Sequence, residues 1–179
     1  MDARNSRLLL AAATAVLGVS GCGGGPADSR PPEARAGHLI VEQVARRRTR
    51  LLDAPARATF CAGDSVLVVI AVDETWAAGL ALRTIFPVLA VRSLRVATAL
   101  GGEGTGAAAF RSVADSVRQA LVASGGTVRL AAGAQASGTF DITVPAPQGS
   151  RGPIQLLGAF RALPTTDTAG ACGSALRTP

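Results

Sequence analysis

The chain has 179 residues, a formal charge of +6, and 18 basic residues that are all arginine. A single histidine excludes a metal site built from several histidines of one chain, and three cysteines are too few for a cysteine-rich scaffold. With 48% hydrophobic residues, the sequence is too apolar to be disordered throughout. The length fits one domain with appendages.

The N-terminal segment, residues 1–21, is predicted to be a signal peptide of the lipoprotein type. Arg4 and Arg7 precede a mostly apolar run from Leu8 to Val19, which is shorter than the roughly 20 residues that a permanent membrane helix needs. The segment leads into the sequence VSGC at residues 19–22. An aliphatic residue, two small residues and a cysteine after an apolar run resemble the lipobox of bacterial lipoproteins. An ordinary signal peptide with an incidental cysteine is the alternative.

The lipobox resemblance implies that the sulfur of Cys22 carries a diacylglyceryl group and that a dedicated peptidase cuts before this residue. The new amino group would then be acylated. Several acyl chains anchor a protein stably, whereas one chain binds a membrane only marginally. Gly23 follows the cysteine, at the place where an aspartate favours the inner membrane in Gram-negative members of the family. We therefore expect an exported protein anchored in a membrane, the outer rather than the inner one if the organism is Gram-negative.

Residues 22–37 are predicted to form a flexible tether, and residues 38–179 are predicted to form the folded domain. Gly, Pro and charged residues dominate the sequence GGGPADSRPPEARAG after Cys22, and it has no apolar period. His38 begins the domain and is expected to be an exposed residue at the junction, because the sequence shows no partner that would orient it as a general base.

The two cysteines that remain, Cys61 and Cys172, are predicted to form a disulfide. An even number of cysteines in an oxidising compartment favours pairing. They lie far apart in the chain, unlike the closely spaced pairs of redox-active motifs, so we expect a structural role.

Short apolar runs separated by turn signals predict strands through most of the domain. The predicted strands are His38–Val44, Arg57–Cys61, Ser65–Val72, Gly79–Phe86, Val91–Leu100, Gly126–Leu130, Gly138–Val144 and Ile154–Leu163. The sequence therefore predicts a mainly β fold, a single antiparallel β-sandwich or flattened barrel.

Residues 110–123 fit two structures. Their apolar positions recur at helical spacing, with Gly125 placed to end a helix. The alternative is a hairpin that turns at residues 115–116, with a second strand that runs into the sequence GTVRL. Periodicity favours the helix, whereas the neighbouring strands favour the hairpin.

The last third of the chain contains the sequences SGGTVRL, SGTFDITV and LLGAFRAL. This pattern resembles a group of uncharacterised bacterial lipoproteins with repeated Gly-Thr-Val and Gly-Thr-Phe strand starts. The resemblance implies an all-β fold and favours the hairpin. It supplies no catalytic residues.

The densest charged feature is the cluster of Arg46, Arg47, Arg48 and Arg50. Near a lipid anchor, such a cluster could face anionic lipid or another envelope polyanion. A solvated loop or an edge strand protected by arginine is the alternative. Nucleic acid is not an expected partner, because the chain is exported and has few aromatic residues for base stacking.

Asp73 and Glu74 stand beside the only tryptophan, Trp76, after the most apolar predicted strand. Two carboxylates can act as an acid and base pair, but adjacent residues on an extended chain point to opposite faces. We therefore expect a non-enzymatic binding or structural module without cofactor or metal, with Trp76 and the arginine cluster as its candidate binding surface. The alternatives are an envelope hydrolase that uses Asp73, Glu74 or Asp64, and a lipid carrier with an apolar cavity.

Overall fold

The computed structural model describes residues 30–45, 47–84, 92–113, 120–146 and 152–172. These residues form strands and contain no helix. The strands are β1 (His38–Val44), β2 (Arg48–Cys61), β3 (Val66–Val72), β4 (Trp76–Arg83), β5 (Arg92–Val96), β6 (Thr105–Ser112), β7 (Ala120–Val122), β8 (Gly125–Leu130), β9 (Ala136–Val144), β10 (Ile154–Leu163) and β11 (Thr165–Thr168). Within the described ranges, no helix is long and apolar enough to span a membrane.

The strands close into a barrel. Hydrogen-bonded neighbours follow the order β1-β10-β9-β8-β5-β6-β4-β3-β2, and β2 pairs again with β1. β7 pairs with β6, and β11 adds to β2. The prediction of a mainly β sandwich or flattened barrel is confirmed, in the form of a barrel. It is not purely antiparallel, because β5 runs parallel to β6 and β11 runs parallel to β2.

Apolar side chains fill the barrel interior, and a reciprocal pairing of glycine and phenylalanine helps them fit. Phe140 of β9 lies opposite Gly158 of β10, and Phe160 lies opposite Gly138. A Cβ atom on Gly138 would lie 2.7 Å from Cζ of Phe160, so each ring occupies the space that a glycine leaves open. The repeated Gly-x-Phe pattern of the sequence therefore has a packing role.

Residues 110–112 and 120–122 are strands, so the helical alternative for this segment is wrong. β6 and β7 are antiparallel, with Ala109 opposite Val122 and Phe110 opposite Leu121. Phe110 is buried in the core, whereas Val113 and Val122 are exposed, because burial here follows the two faces of a sheet. The expected turn at residues 115–116 lies outside the described residues.

Several strand bounds differ from the prediction. β2 begins at Arg48, nine residues before the predicted start at Arg57. β4 begins at Trp76 rather than Gly79. β11 was not predicted, because its sequence TTDT has no apolar run. The predicted end of the fourth strand, Phe86, lies outside the described residues.

Candidate functional site

Residues 30–37, the end of the predicted tether, lie against the outer wall of the barrel. Ala34 packs with the outward side chains of Ile40 on β1 and Ala159 on β10. The backbone N–H of Gly37 donates to the carbonyl oxygen of Arg161 at 2.8 Å. At the other end, Nη2 of Arg48 donates to the carbonyl oxygen of Arg30 at 2.7 Å. This segment, residues 30–37, is called the N-terminal strap below.

Two arginines of the predicted cluster form ion pairs across the β1–β2 hairpin. Glu42 accepts hydrogen bonds from Arg48 and Arg50, each at 3.3 Å, and its side chain is only 13% exposed. Arg50 also reaches Asp53 at 3.4 Å. Arg48 and Arg50 lie on a part of β2 that pairs with β1 alone, which fits the alternative of an edge strand protected by charge.

The other members of the predicted binding surface lie elsewhere. Arg47 is exposed in the turn before β2, and Arg46 lies outside the described residues. Trp76 is partly buried against the barrel core at the β3–β4 turn. The structure therefore joins Arg48 and Arg50 to acidic partners of their own hairpin, whereas Trp76 contributes to packing at a different turn.

His38 is not the exposed junction residue that the sequence analysis expected. Its Nδ1 atom lies 3.2 Å from Oδ1 of Asp53, and its side chain is 16% exposed. Asp53 is 15 residues away in the sequence, and the β1–β2 pairing brings the two together. This partner could not be identified from the sequence, because the contact depends on the register of the β1–β2 hairpin.

Asp73 and Asp64, two carboxylates of the hydrolase alternative, do not converge. Oδ1 of Asp73 accepts hydrogen bonds from the backbone N–H groups of Thr75 at 2.7 Å and Trp76 at 2.6 Å, which closes the β3–β4 turn. Oδ2 of Asp64 accepts from the N–H of Cys172 at 3.1 Å. The two aspartates lie at opposite ends of β3, about 20 Å apart by strand rise. In the described part of the chain, no cluster of three or more His, Cys, Asp or Glu side chains could hold a metal ion.

Cys61 and Cys172 form the predicted disulfide, with their Cα atoms 5.7 Å apart. The bond ties the C-terminal residues to the end of β2. Below it lies a small buried cluster on the outer face, which includes Val66, Val68 and Ala81. The disulfide thus holds the C-terminal residues against one end of the outer face of β3, which is called the second outer wall below.

A groove of about 470 Å³ lies between the N-terminal strap and the outer wall of β8, β9 and β10. Its volume falls in the range of small-molecule sites, about 300–1,000 Å³. Mainly apolar groups line it, among them the side chains of Pro32, Ala34 and Ala159. The exposed residues Arg129 and Arg161 also belong to its lining, as does Glu33 of the strap, which pairs with Arg30 at 3.9 Å. The groove is called the strap groove below.

Arg129 and Arg161 were not among the residues predicted from the sequence to form a site. Strand alternation places both on the outside, but only the pairing of β8, β9 and β10 puts them beside one groove. No protein-family model, curated protein or solved structure matches the chain.

Proposed function

We propose that this protein is an exported lipoprotein, anchored through acyl chains on Cys22, whose barrel is a non-enzymatic binding module of the cell envelope. The observation that carries the proposal is the VSGC sequence at residues 19–22, after a basic start and an apolar run. The Cys61–Cys172 disulfide supports export, because disulfides persist in oxidising compartments.

A binding role on outer surfaces is favoured over catalysis or carriage. Asp73 closes the β3–β4 turn, and Asp64 accepts a backbone N–H at the other end of β3. These two carboxylates therefore do not lie beside each other. The interior side chains pack on one another, with the rings of Phe110 and Phe140 6.3 Å apart. These features support a binding role over the hydrolase and the interior lipid carrier.

Acylation is tested by producing the full chain in a bacterial host with an alkyne-tagged palmitate. The wild-type protein should incorporate the tag, and its first residue should be Cys22 with added acyl mass. Cys22→Ser should incorporate no tag, because the modified sulfur is removed. A double variant, Cys61→Ser with Cys172→Ser, is the control and should still be labelled. A wild-type chain without label and cleaved elsewhere would refute the anchoring.

A further inference from the structure

We propose that the strap groove binds a medium-length acyl chain that ends in a carboxylate, with the carboxylate at Arg129 and Arg161. This inference deepens the proposed binding role by naming a ligand class. The groove chemistry is independent of the lipid anchor, but the supply of acyl carboxylates beside a membrane rests on the proposed anchoring.

Charge is the first argument for an anionic ligand. Arg129 and Arg161 are exposed, and among the described residues neither forms an ion pair with a carboxylate. The arginines of the β1–β2 hairpin differ in this respect, because Arg48 and Arg50 are paired with Glu42. Guanidinium groups bind carboxylates through two parallel hydrogen bonds, so the strap groove offers a carboxylate two cationic groups.

The groove lining is the argument for an acyl chain. Pro32 and Ala34 from the strap, and the outward Ala159 from the barrel, contribute its apolar side chains. Ligand sites combine such a lining with a few polar groups that fix orientation. Hydrogen bonds to the carbonyl oxygens of Arg30 and Arg161 hold the strap on the barrel. The groove opens beside the strap, so a bound acyl chain would lie between the strap and the barrel wall.

A strained bulge at the groove rim is a third observation. Between Phe160 and Leu163 the pairing of β10 with β9 shifts by one residue, and Ala162 has φ of 49°. A non-glycine residue with positive φ costs energy unless its surroundings hold it. Oγ of Ser137, which also lines the groove, accepts the N–H of Ala162 at 2.8 Å. The bulge adjoins Arg161, whose outward position follows from strand alternation, so this irregular part of β10 lies at the groove.

The position of the strap relates the groove to a membrane. Arg30 follows Cys22 by eight residues, which reach at most roughly 29 Å when extended. An anchor at Cys22 would therefore hold the groove close to the bilayer, where acyl carboxylates partition.

Calorimetric titration of decanoate into the chain from residue 22 to 179, with Cys22→Ser, tests the ligand. This chain retains every described strand, and their hydrogen bonds close the barrel without the first 21 residues. Decanoate should bind, whereas acetate and decanol should bind at least about tenfold more weakly. Acetate lacks the long acyl chain, and decanol lacks the carboxylate. Equal binding of decanol would overturn the role of the arginines.

Variants locate the binding. Arg129→Gln and Arg161→Gln should each weaken decanoate binding by about tenfold or more, without a change in the circular dichroism spectrum. Arg57→Gln is the matched control, because Arg57 is an exposed arginine on β2, away from the groove. Equal losses in all three variants would show non-specific charge attraction and refute the assignment.

Binding to phosphatidylglycerol vesicles without binding of decanoate would refute the assignment in favour of a membrane contact. Neither of these negative results would bear on the acylation of Cys22, which palmitate labelling tests separately.

Discussion

The outer face of β1 and β10 and the outer face of β3 are built from similar strands. Only the first of these two outer walls is covered along its length. On β1 and β10, the N-terminal strap covers Ile40, which is 3% exposed. On β3, Cys172 and Leu100 pack against the cluster that contains Val66 and Val68, whereas Ile70 and Val72 are 48% and 55% exposed. The cross-strand neighbours of Ile70 are Arg57 and Gly79, which give it little apolar surface to pack on.

The walls differ because their covers are fixed in different ways. The strap is held at one end by a backbone hydrogen bond from Gly37 to Arg161, and at the other end by a hydrogen bond from the side chain of Arg48 to the carbonyl oxygen of Arg30. The C-terminal cover is held by the parallel pairing of β11 with β2 and by the disulfide. Ile40 is therefore buried because the strap is tied over it, whereas Ile70 lies outside the cluster at Cys172 and is exposed.

The largest expected effect is the loss of the disulfide that ties the second cover. Replacing both cysteines, Cys61→Ala with Cys172→Ala, opens a loop with a sequence separation of 111 residues. The chain-entropy model gives about 4–5 kcal/mol for a loop of this size. We expect a loss of about 4 kcal/mol in the free energy of unfolding, measured by urea titration, with increased dye binding as Val66 and Val68 lose their cover. Wild-type protein with reductant should behave like the double variant. A loss below about 1 kcal/mol would show that β11 alone holds the cover.

The next effect compares two isoleucines that both face outward. Ile40→Ala should cost about 2–3 kcal/mol, because it leaves a cavity under the strap. Ile70→Ala removes the same atoms from an exposed position and should cost about 0.5–1 kcal/mol. Urea unfolding of the two variants measures the difference. Equal small losses would show that the strap does not bury Ile40 in solution.

The sequence predicted the parts of this architecture that depend on local pattern. The bounds of β1 and β10 match the prediction, because both are apolar runs between turn residues. The disulfide followed from counting cysteines. The first half of β2 was missed because it begins in the arginine cluster and because Pro55 interrupts its short apolar run.

The features that depend on long-range register could not be read from the sequence. The His38–Asp53 contact requires the β1–β2 register, and the strap groove requires β8, β9 and β10 to be neighbours in that order. Arg129 and Arg161 are ordinary outward residues of two strands until that order brings them beside the strap. The parallel pairing of β5 with β6 likewise depends on closure of the barrel.

The smallest expected effect concerns the charges beside the strap. Glu42 accepts a hydrogen bond from Arg48, and Arg48 donates a second hydrogen bond to the carbonyl oxygen of Arg30. Glu42→Gln should therefore cost about 1 kcal/mol, because a half-buried charge-assisted contact is lost, and should loosen the strap.

The matched control for this change is Glu74→Gln, because Glu74 is exposed in the β3–β4 turn; its expected cost is below about 0.5 kcal/mol. Urea unfolding gives both costs, and hydrogen exchange at Gly37, whose N–H binds Arg161, reports on the strap directly. Faster exchange at Gly37 in Glu42→Gln alone is the expected result. Unchanged exchange would mean that the strap is held by the packing of Ala34 and the Gly37 bond, and that the ion pairs of the β1–β2 hairpin stabilise only the hairpin itself.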